Sequence, residues 1–454
     1  MSRLSTQNRK GVLKGLVVLT LAFILVGPAH GQGAGVHAAH SNPKYFSEAS
    51  GTSVDEMVRI ALANNLELTA MRREVEAGEA LIRQARLRPN PSLEVGGTRQ
   101  IGGMGSNSLM VQGALPLELG GRRSARIRVA EVELEIRQRA LEEKERQLAA
   151  EVRAKYAESL AAIFKLNFIE ELLAESQTYV DLVRAKVSEG RQPPLEESME
   201  TVELNRIRAE REISEGMVEV RLFELRNLAN MTPDSPLRLK GDLDTLKLDL
   251  PPQVGAEQKA LQSRPDLLGA AAVQRLAAAR TEQARSDGRV DADVMLGFQR
   301  MRNGFPLLGV EESTGALLPI MERMNVLTFG VRLNLPVRNR NQGLVAASAL
   351  EEQAARSRRE FGEITIRREV AAAYARYNRA ARATEIYRVG VRERAAANLD
   401  VVRQTYELGS KTLLDFISEH HRYIQIENGF IDAQLEAYLA MVDLLKASND
   451  SKLR

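Results

Sequence analysis

The chain has no cysteine and no tryptophan, and aromatic residues make up only 4% of its 454 positions. Without cysteine there is no disulfide, no thiol nucleophile and no residue on which an N-terminal lipid anchor could be built. Without tryptophan there is no obvious aromatic girdle of the kind that marks the membrane edges of a spanning sheet. Long apolar runs are also missing: Leu16 to Val26 is too short for the ~20 residues that carry a helix across a bilayer, and later apolar stretches are broken every second residue. There is no HExxH, no phosphate-binding glycine loop with lysine and no nucleophile elbow, so neither a catalytic centre nor a cofactor site is expected.

What is present begins with a leader. Arg3, Arg9, Lys10 and Lys14 precede the apolar stretch, and Gly27, Pro28, Ala29 and Gly31 follow it. That is a secretory signal ending at Gly31, or as late as Ala38. Removing it takes away four basic residues and no acidic one, so the formal charge falls from +3 to −1. The mature chain then has no retained basic face for nucleic acid.

The body of the chain states one plan twice. VSEGRQPPLEESMETVELNR from Val187 and YELGSKTLLDFISEHHRY from Tyr406 each interrupt a very long helical pattern with a glycine and give way to a second helical pattern. Each long helix follows an alternating run that ends in proline: LPLELGG from Leu115 and LPVRNRNQG from Leu335. This is a tandem duplication. The first repeat spans 54–230: a helix from Val54 to Arg88, strands at 92–101 and 108–117, and a helical hairpin over 122–228. A proline-rich linker occupies 231–256 and is expected to lie as a belt against the helices. The second repeat spans 257–446, with a helix from Glu257 to Arg285, strands at 292–300 and 326–335 joined by a long loop, and a hairpin over 343–446. The tail 447–454 reads as polar and disordered.

From Arg122 to Glu189 no proline interrupts the pattern, which makes a helix of roughly 100 Å at 1.5 Å per residue. Gly343 to Leu408 is its twin. The return helices are about half as long, so the ascending helices before the strands are expected to cover the rest by end-to-end stacking. Any one of the four strands could lie half-buried in a soluble sandwich. Together, on helices far longer than themselves, they have no soluble core to bury and their edges need partners. Three chains giving four strands each would close a barrel of twelve, with Arg332 and Asn334 facing the lumen and Phe329 and Leu333 facing lipid.

Taken together these residues resemble the TolC-like outer-membrane efflux proteins, over nearly the whole span from Val54 to Lys446. LPLELGGRRSARI, LPVRNRNQG, PPLEE from Pro193 and GSKTLLDF from Gly409 are similar to the CzcC-like heavy-metal efflux branch. The turns from strand to helix would be Pro116, Gly120 and Gly121 in the first copy and Pro336 and Gly343 in the second. The resemblance implies a mixed α/β membrane protein: a homotrimeric barrel in the outer membrane of a Gram-negative bacterium, held in lipid without lipidation and continued by a periplasmic coiled-coil tunnel. It implies a periplasmic adaptor and an inner-membrane RND-type pump as partners, and a passive exit duct exporting heavy-metal cations. The same duct could carry drugs, organic solutes or a polypeptide, and a structural coiled-coil envelope protein without a pore is the third reading.

The hairpin tips, with Gly190, Arg191, Pro193, Pro194, Gly409 and Lys411, are the expected adaptor-docking elements, and they also serve simply as helix caps. Asp415 lies six residues beyond Gly409, where the family carries the first carboxylate of an entrance ring. Ser418 stands where drug-exporting members have a second, and Glu196 is the matching residue of the first repeat. A carboxylate at the start of a helix is equally an ordinary favourable partner of the dipole. His420 and His421 are adjacent and point different ways, so as a pair they do not chelate one ion; packed or surface histidines are the plainer reading.

Overall fold

The computed structural model describes residues 42–102, 105–244, 246 and 250–453. The leader and its cleavage positions lie outside these. Helices α1 (Val54–Asn64) and α2 (Leu66–Ala85) lead into strands β1 (Ser92–Arg99) and β2 (Asn107–Pro116), then α3 (Arg122–Ser188) and α4 (Pro194–Leu228). The second half repeats this order. It consists of α5 (Gln253–Ser263), α6 (Pro265–Asp287), β3 (Asp291–Val310), β4 (Leu317–Asn334), α7 (Gln342–Ile386), a π-helical segment Tyr387–Arg392, α8 (Glu393–Glu407) and α9 (Leu413–Ala447).

The ascending helices, expected as single rods, are each broken. Asn65 ends α1 in extended backbone, and its side chain accepts the Leu68 N–H at 3.1 Å to start α2. Pro265 does the same for α6, since the residue before a proline, here Arg264, is pushed out of the helical region. α3 is continuous over 67 residues. Its expected twin is not: six residues of π-helix separate α7 from α8. There Tyr387 lies against Gly429 of α9, where an added Cβ would sit 3.0 Å from the tyrosine oxygen. Arg392, from the same segment, pairs with the buried Glu427 at 2.8 Å. α3 packs on α4 below and on α1, α2 and α6 above, while α7 packs on α5, α6 and α9, so the ascending helices cover the upper halves of the long ones.

The four strands form one antiparallel sheet in the order β1-β2-β3-β4. The second hairpin is far longer than its sequence suggests: β3 has 20 residues and β4 has 18, so most of the expected loop between them is paired strand. Polar residues alternating irregularly with Phe305, Leu307 and Leu318 hide the period, and a register shift between Gly304 and Leu308 breaks it further. The strand-to-helix turns also differ between copies. Gly120 and Gly121 have φ of 76° and 86° before α3, but Gly343 is already inside α7, and Asn341, with φ of 56°, makes the turn in its place.

The core sits at mid-height, where Met57, Val58, Tyr156, Leu160, Leu222, Leu225, Met441 and Leu445 are buried together. Leu237, Leu239 and Leu243 of the linker join them, and Leu239 bridges in parallel to Phe46 and Thr52. The Tyr156 hydroxyl fastens this belt to α3, lying 2.7 Å from the carbonyls of both Thr52 and Lys240. The C-terminal tail, expected to be disordered, is clamped instead. Buried Arg153 donates to the Leu453 carbonyl at 2.8 Å and the Lys452 carbonyl at 3.0 Å, and Leu453 is itself buried. Composition marks the tail as polar, and nothing local reveals that a distant arginine needs its carbonyls.

Candidate functional site: the sheet and the hairpin tips

The sheet sorts its residues by face. Strand pairing aligns Leu115 with Val294 and Val331, then Leu93 with Gly113, Leu296 and Phe329, then Val95 with Val111, Phe298 and Leu327. Because side chains alternate, these rows share one face. On β3 that face is the open one: Val294, Leu296 and Phe298 are exposed, and the residues between them are half-buried or buried. The opposite face carries Glu94, Thr98, Gln112, Asp293, Gln299, Arg332 and Asn334. Among the described residues β1 and β4 have no strand beyond them. No helix of the described residues is long and apolar enough to cross a membrane.

At the sheet's foot, Arg122 pairs with Asp291 at 2.6 Å and Arg126 with Glu118 at 2.6 Å, which ties the start of α3 to β3 and to the end of its own strand turn. The helices therefore continue the sheet through fixed joints rather than flexible linkers.

The two hairpin tips are built alike. Gly190 has φ of 74° and Gly409 of 77°, and each closes its helix with paired backbone bonds: Arg191 N–H to the Lys186 carbonyl and Gly190 N–H to Val187, then Ser410 N–H to Thr405 and Gly409 N–H to Tyr406. Pro193 caps α4 and Pro194 is its first residue, both exposed with Gly190 and Arg191. Lys411 is exposed beside Gly409. The second return helix starts with a reciprocal capping box. Thr412 accepts from the Asp415 N–H at 3.2 Å, and the Asp415 carboxylate accepts from the Thr412 N–H at 3.0 Å. The Thr412 backbone and then its hydroxyl hold the Asp415 carboxyl below the usual aspartate range. Asp415 is exposed, as is Ser418, whose hydroxyl donates to the Leu414 carbonyl at 2.7 Å. Glu196 is half-buried and accepts from the Tyr406 hydroxyl at 3.0 Å.

Just above the tips lies a cavity of about 540 Å³ between the two hairpins, lined by Tyr179, Glu200, Glu203, Arg403, Phe416, His420 and Tyr423 among others. Phe416 stacks on Tyr179 at 5.1 Å, on Tyr406 at 5.9 Å and on His420 at 5.9 Å. Glu200 is buried with one carboxylate oxygen unpartnered. Burial, then Glu203 and Glu196, push its carboxyl up to about 7. Burial pulls His420 down to about 4 against the attraction of Glu203. The neighbouring His421 meets Glu203 at 2.8 Å. No group of three or more potential metal ligands stands together among the described residues.

Sequence reasoning singled out Asp415, Ser418 and Glu196 but missed Tyr406, Phe416, Tyr179 and Glu200. A signal existed: Glu196, Glu200 and Glu203 recur at helical spacing, and Phe416 and His420 stand four apart, which stacks them on one face.

An antiparallel four-stranded sheet with one apolar and one polar face is carried on helical hairpins about 100 Å long by the helical rise. Over residues 57–229 and 256–450 the chain matches the outer membrane efflux protein family, to which it belongs. It is an outer-membrane channel of that family, a transport protein and not an enzyme, with a long helical region. It is 28% identical over 306 residues to the cobalt-zinc-cadmium resistance protein CzcC of Cupriavidus metallidurans, covering 66% of this chain and 67% of that one. Its fold is similar to a crystal structure of CusC, with a TM-score of 0.72 and 17% identity over 91% of this chain and 95% of the other. It is also similar to a membrane protein from Pseudomonas aeruginosa, with a TM-score of 0.70 and 21% identity over 89% and 93%.

Proposed function

We propose that three copies of this chain close one twelve-stranded barrel in the outer membrane and that the trimer is the passive exit duct of a tripartite efflux system. The observation that carries this is the sheet itself: four strands cannot close alone, and β1 and β4 leave unpaired edges that two further copies would pair. In that barrel the rows through Leu296, Phe298, Leu327 and Phe329 meet lipid, and the face with Gln112, Asp293 and Arg332 lines the lumen. The exposed tips around Gly190, Arg191, Pro193, Pro194, Gly409 and Lys411 seat a periplasmic adaptor, which couples the duct to an inner-membrane RND-type pump. Asp415 and Glu196, at matching places on the first turns of the return helices, form the entrance, and Ser418 stands where a second carboxylate level would be.

Heavy-metal cations are the cargo this reading favours, supported by the likeness to CzcC and by the LPLELGG and PPLEE segments. No resident metal is needed, because a tight site would hold back what the duct must release. Deleting the gene and measuring tolerance to zinc, cobalt, cadmium, nickel, copper and silver beside a panel of drugs tests the cargo. Sensitivity confined to drugs overturns metal export. A monomer or dimer in mild detergent, by cross-linking, overturns the trimer.

A further inference from the structure

Immediately above the apolar band, the open face of the sheet changes character over two rows. The next row aligns Gly97, Leu109, Arg300 and Asn325, and the row after it aligns Arg99, Asn107, Arg302 and Arg323. All four arginines are exposed, and none makes an ion pair or a side-chain hydrogen bond among the described residues. Arg302 and Arg323 are direct cross-strand partners, an arrangement that repels unless an anion sits between them. Arg300, Arg302 and Arg323 line a groove of about 370 Å³ with Asn107, Ser108 and Leu109.

The position along the strand fixes the level. From Leu335 to Leu327 the apolar face runs about 27 Å at ~3.4 Å per residue, or about 20 Å once tilted as barrel strands are, close to the height of a lipid-facing band. The arginines begin where that band stops, on the side away from the helices, and Arg99 immediately precedes the β1–β2 turn. Guanidinium forks match phosphate oxygens in pairs, and a lysine would not.

We infer that Arg99, Arg300, Arg302 and Arg323 form a docking surface for the phosphate groups of an anionic glycolipid in the outer leaflet. This rests on the barrel reading above, with the apolar rows in lipid. The acyl chains would lie on Leu296, Phe298 and Leu327 while the headgroup phosphates bridge the arginine rows, so one lipid spans both parts of the same face.

The test uses the full-length trimer in mild detergent and native mass spectrometry with three probes: bisphosphorylated lipid A, its dephosphorylated form and inorganic phosphate. Lipid A should bind, the dephosphorylated form should bind at least about tenfold more weakly, and inorganic phosphate alone should not saturate the site. Arg302→Gln with Arg323→Gln should lower lipid A affinity by about tenfold or more, whereas Arg332→Gln on the opposite face should not. Equal binding of both lipid forms, unchanged affinity in the double variant, or equally tight binding of inorganic phosphate overturns the inference. Should the double variant fail to assemble, the phosphorylated-against-dephosphorylated comparison on the unaltered protein still decides. A spin label on Phe329→Cys, the sole thiol in the chain, reports separately whether that row contacts lipid. A label that never meets lipid sinks the barrel reading, and one that does, with no phosphate-dependent binding, sinks this inference alone.

Discussion

The Tyr406 hydroxyl, on the last turn of α8, donates a 3.0 Å hydrogen bond to Glu196 on the first turn of α4, and so joins the second helical hairpin to the first at their lower ends. Gln192 donates to the same hydroxyl at 3.1 Å from the first tip. Phe416 stacks against the Tyr406 ring from α9, so the link is half polar and half aromatic. Tyr406→Phe keeps the stack and removes the bond. It should cost about 1 kcal/mol of local stability, with Glu196→Ala adding little to it, because both changes delete one interaction. Amide exchange of α8 and α4 near the tips is the measurement. Equal, fully additive losses would mean the two residues do not act together.

Glu200 and His420 give the same junction a pH dependence of opposite signs. Glu200 has a folded pKa of about 7 against an unfolded value of 4.5, so the folded junction binds the extra proton and loses stability as pH rises through that window. His420 has a folded pKa of about 4 against 6.5, so the unfolded chain binds the extra proton and stability is lost as pH falls from 6.5 to 4. Between 4.5 and 6.5 the slopes oppose each other, and above 6.5 only the Glu200 loss remains. Glu200→Gln should therefore stabilise the junction at pH 8 by on the order of 2–3 kcal/mol and have little effect at pH 4.5. Amide exchange at both pH values reads this directly, and an equal effect at both would refute it.

Periodicity made the long hairpins, the duplication and the best strand legible, because each is a local pattern repeated over many residues: Leu327, Phe329, Val331, Leu333 and Leu335 keep period two without a break. The rest depended on contacts distant in sequence. That Arg153 captures the tail and that Tyr387 needs Gly429 opposite are pairings of residues 300 and 42 positions apart, invisible to any window. The tip glycines were readable because a helix ending at a single glycine has one economical geometry. Apart from His420, the cavity residues were not singled out, because their spacing says only that they share a face and not what packs on it.

The belt at mid-height offers a sharp stability test. A Cβ on Gly51 would meet the Ser47 carbonyl oxygen at 2.4 Å and the Leu239 carbonyl oxygen at 2.5 Å, and both are backbone atoms that cannot swing aside. Gly51→Ala should cost about 1–3 kcal/mol and lower the thermal midpoint of the trimer, without changing conductance of the channels that do assemble. A midpoint equal to that of the unaltered protein would show that the Phe46–Leu239 belt yields.

Gly409→Pro acts at the opposite extreme of the molecule. Proline cannot take the positive φ of 77° found there, and it removes the N–H that closes α8 on the Tyr406 carbonyl. The sheet lies at the other end of the long helices, so the trimer should still form in the outer membrane while export falls. Normal export with normal protein levels would remove the second tip from any docking role.

Replacing Asp415 by Asn separates two roles that its geometry combines. The carboxylate closes a capping box with Thr412, yet it remains exposed at the periplasmic end of α9. Three such carboxylates at one level would raise the local cation concentration where the walls are narrow. Asp415→Asn should lower the cation preference of single channels in a planar bilayer, and the double change with Glu196→Gln should lower it further, because the glutamine amide keeps an acceptor for Tyr406 while removing the charge. The effect should shrink with salt, because the Debye length falls from about 10 Å at 0.1 M to about 3 Å at 1 M. Asparagine can still cap through its amide oxygen, so helix content should stay the same and selectivity alone should move. Unchanged reversal potentials at low salt in both variants would leave Asp415 as a capping residue only.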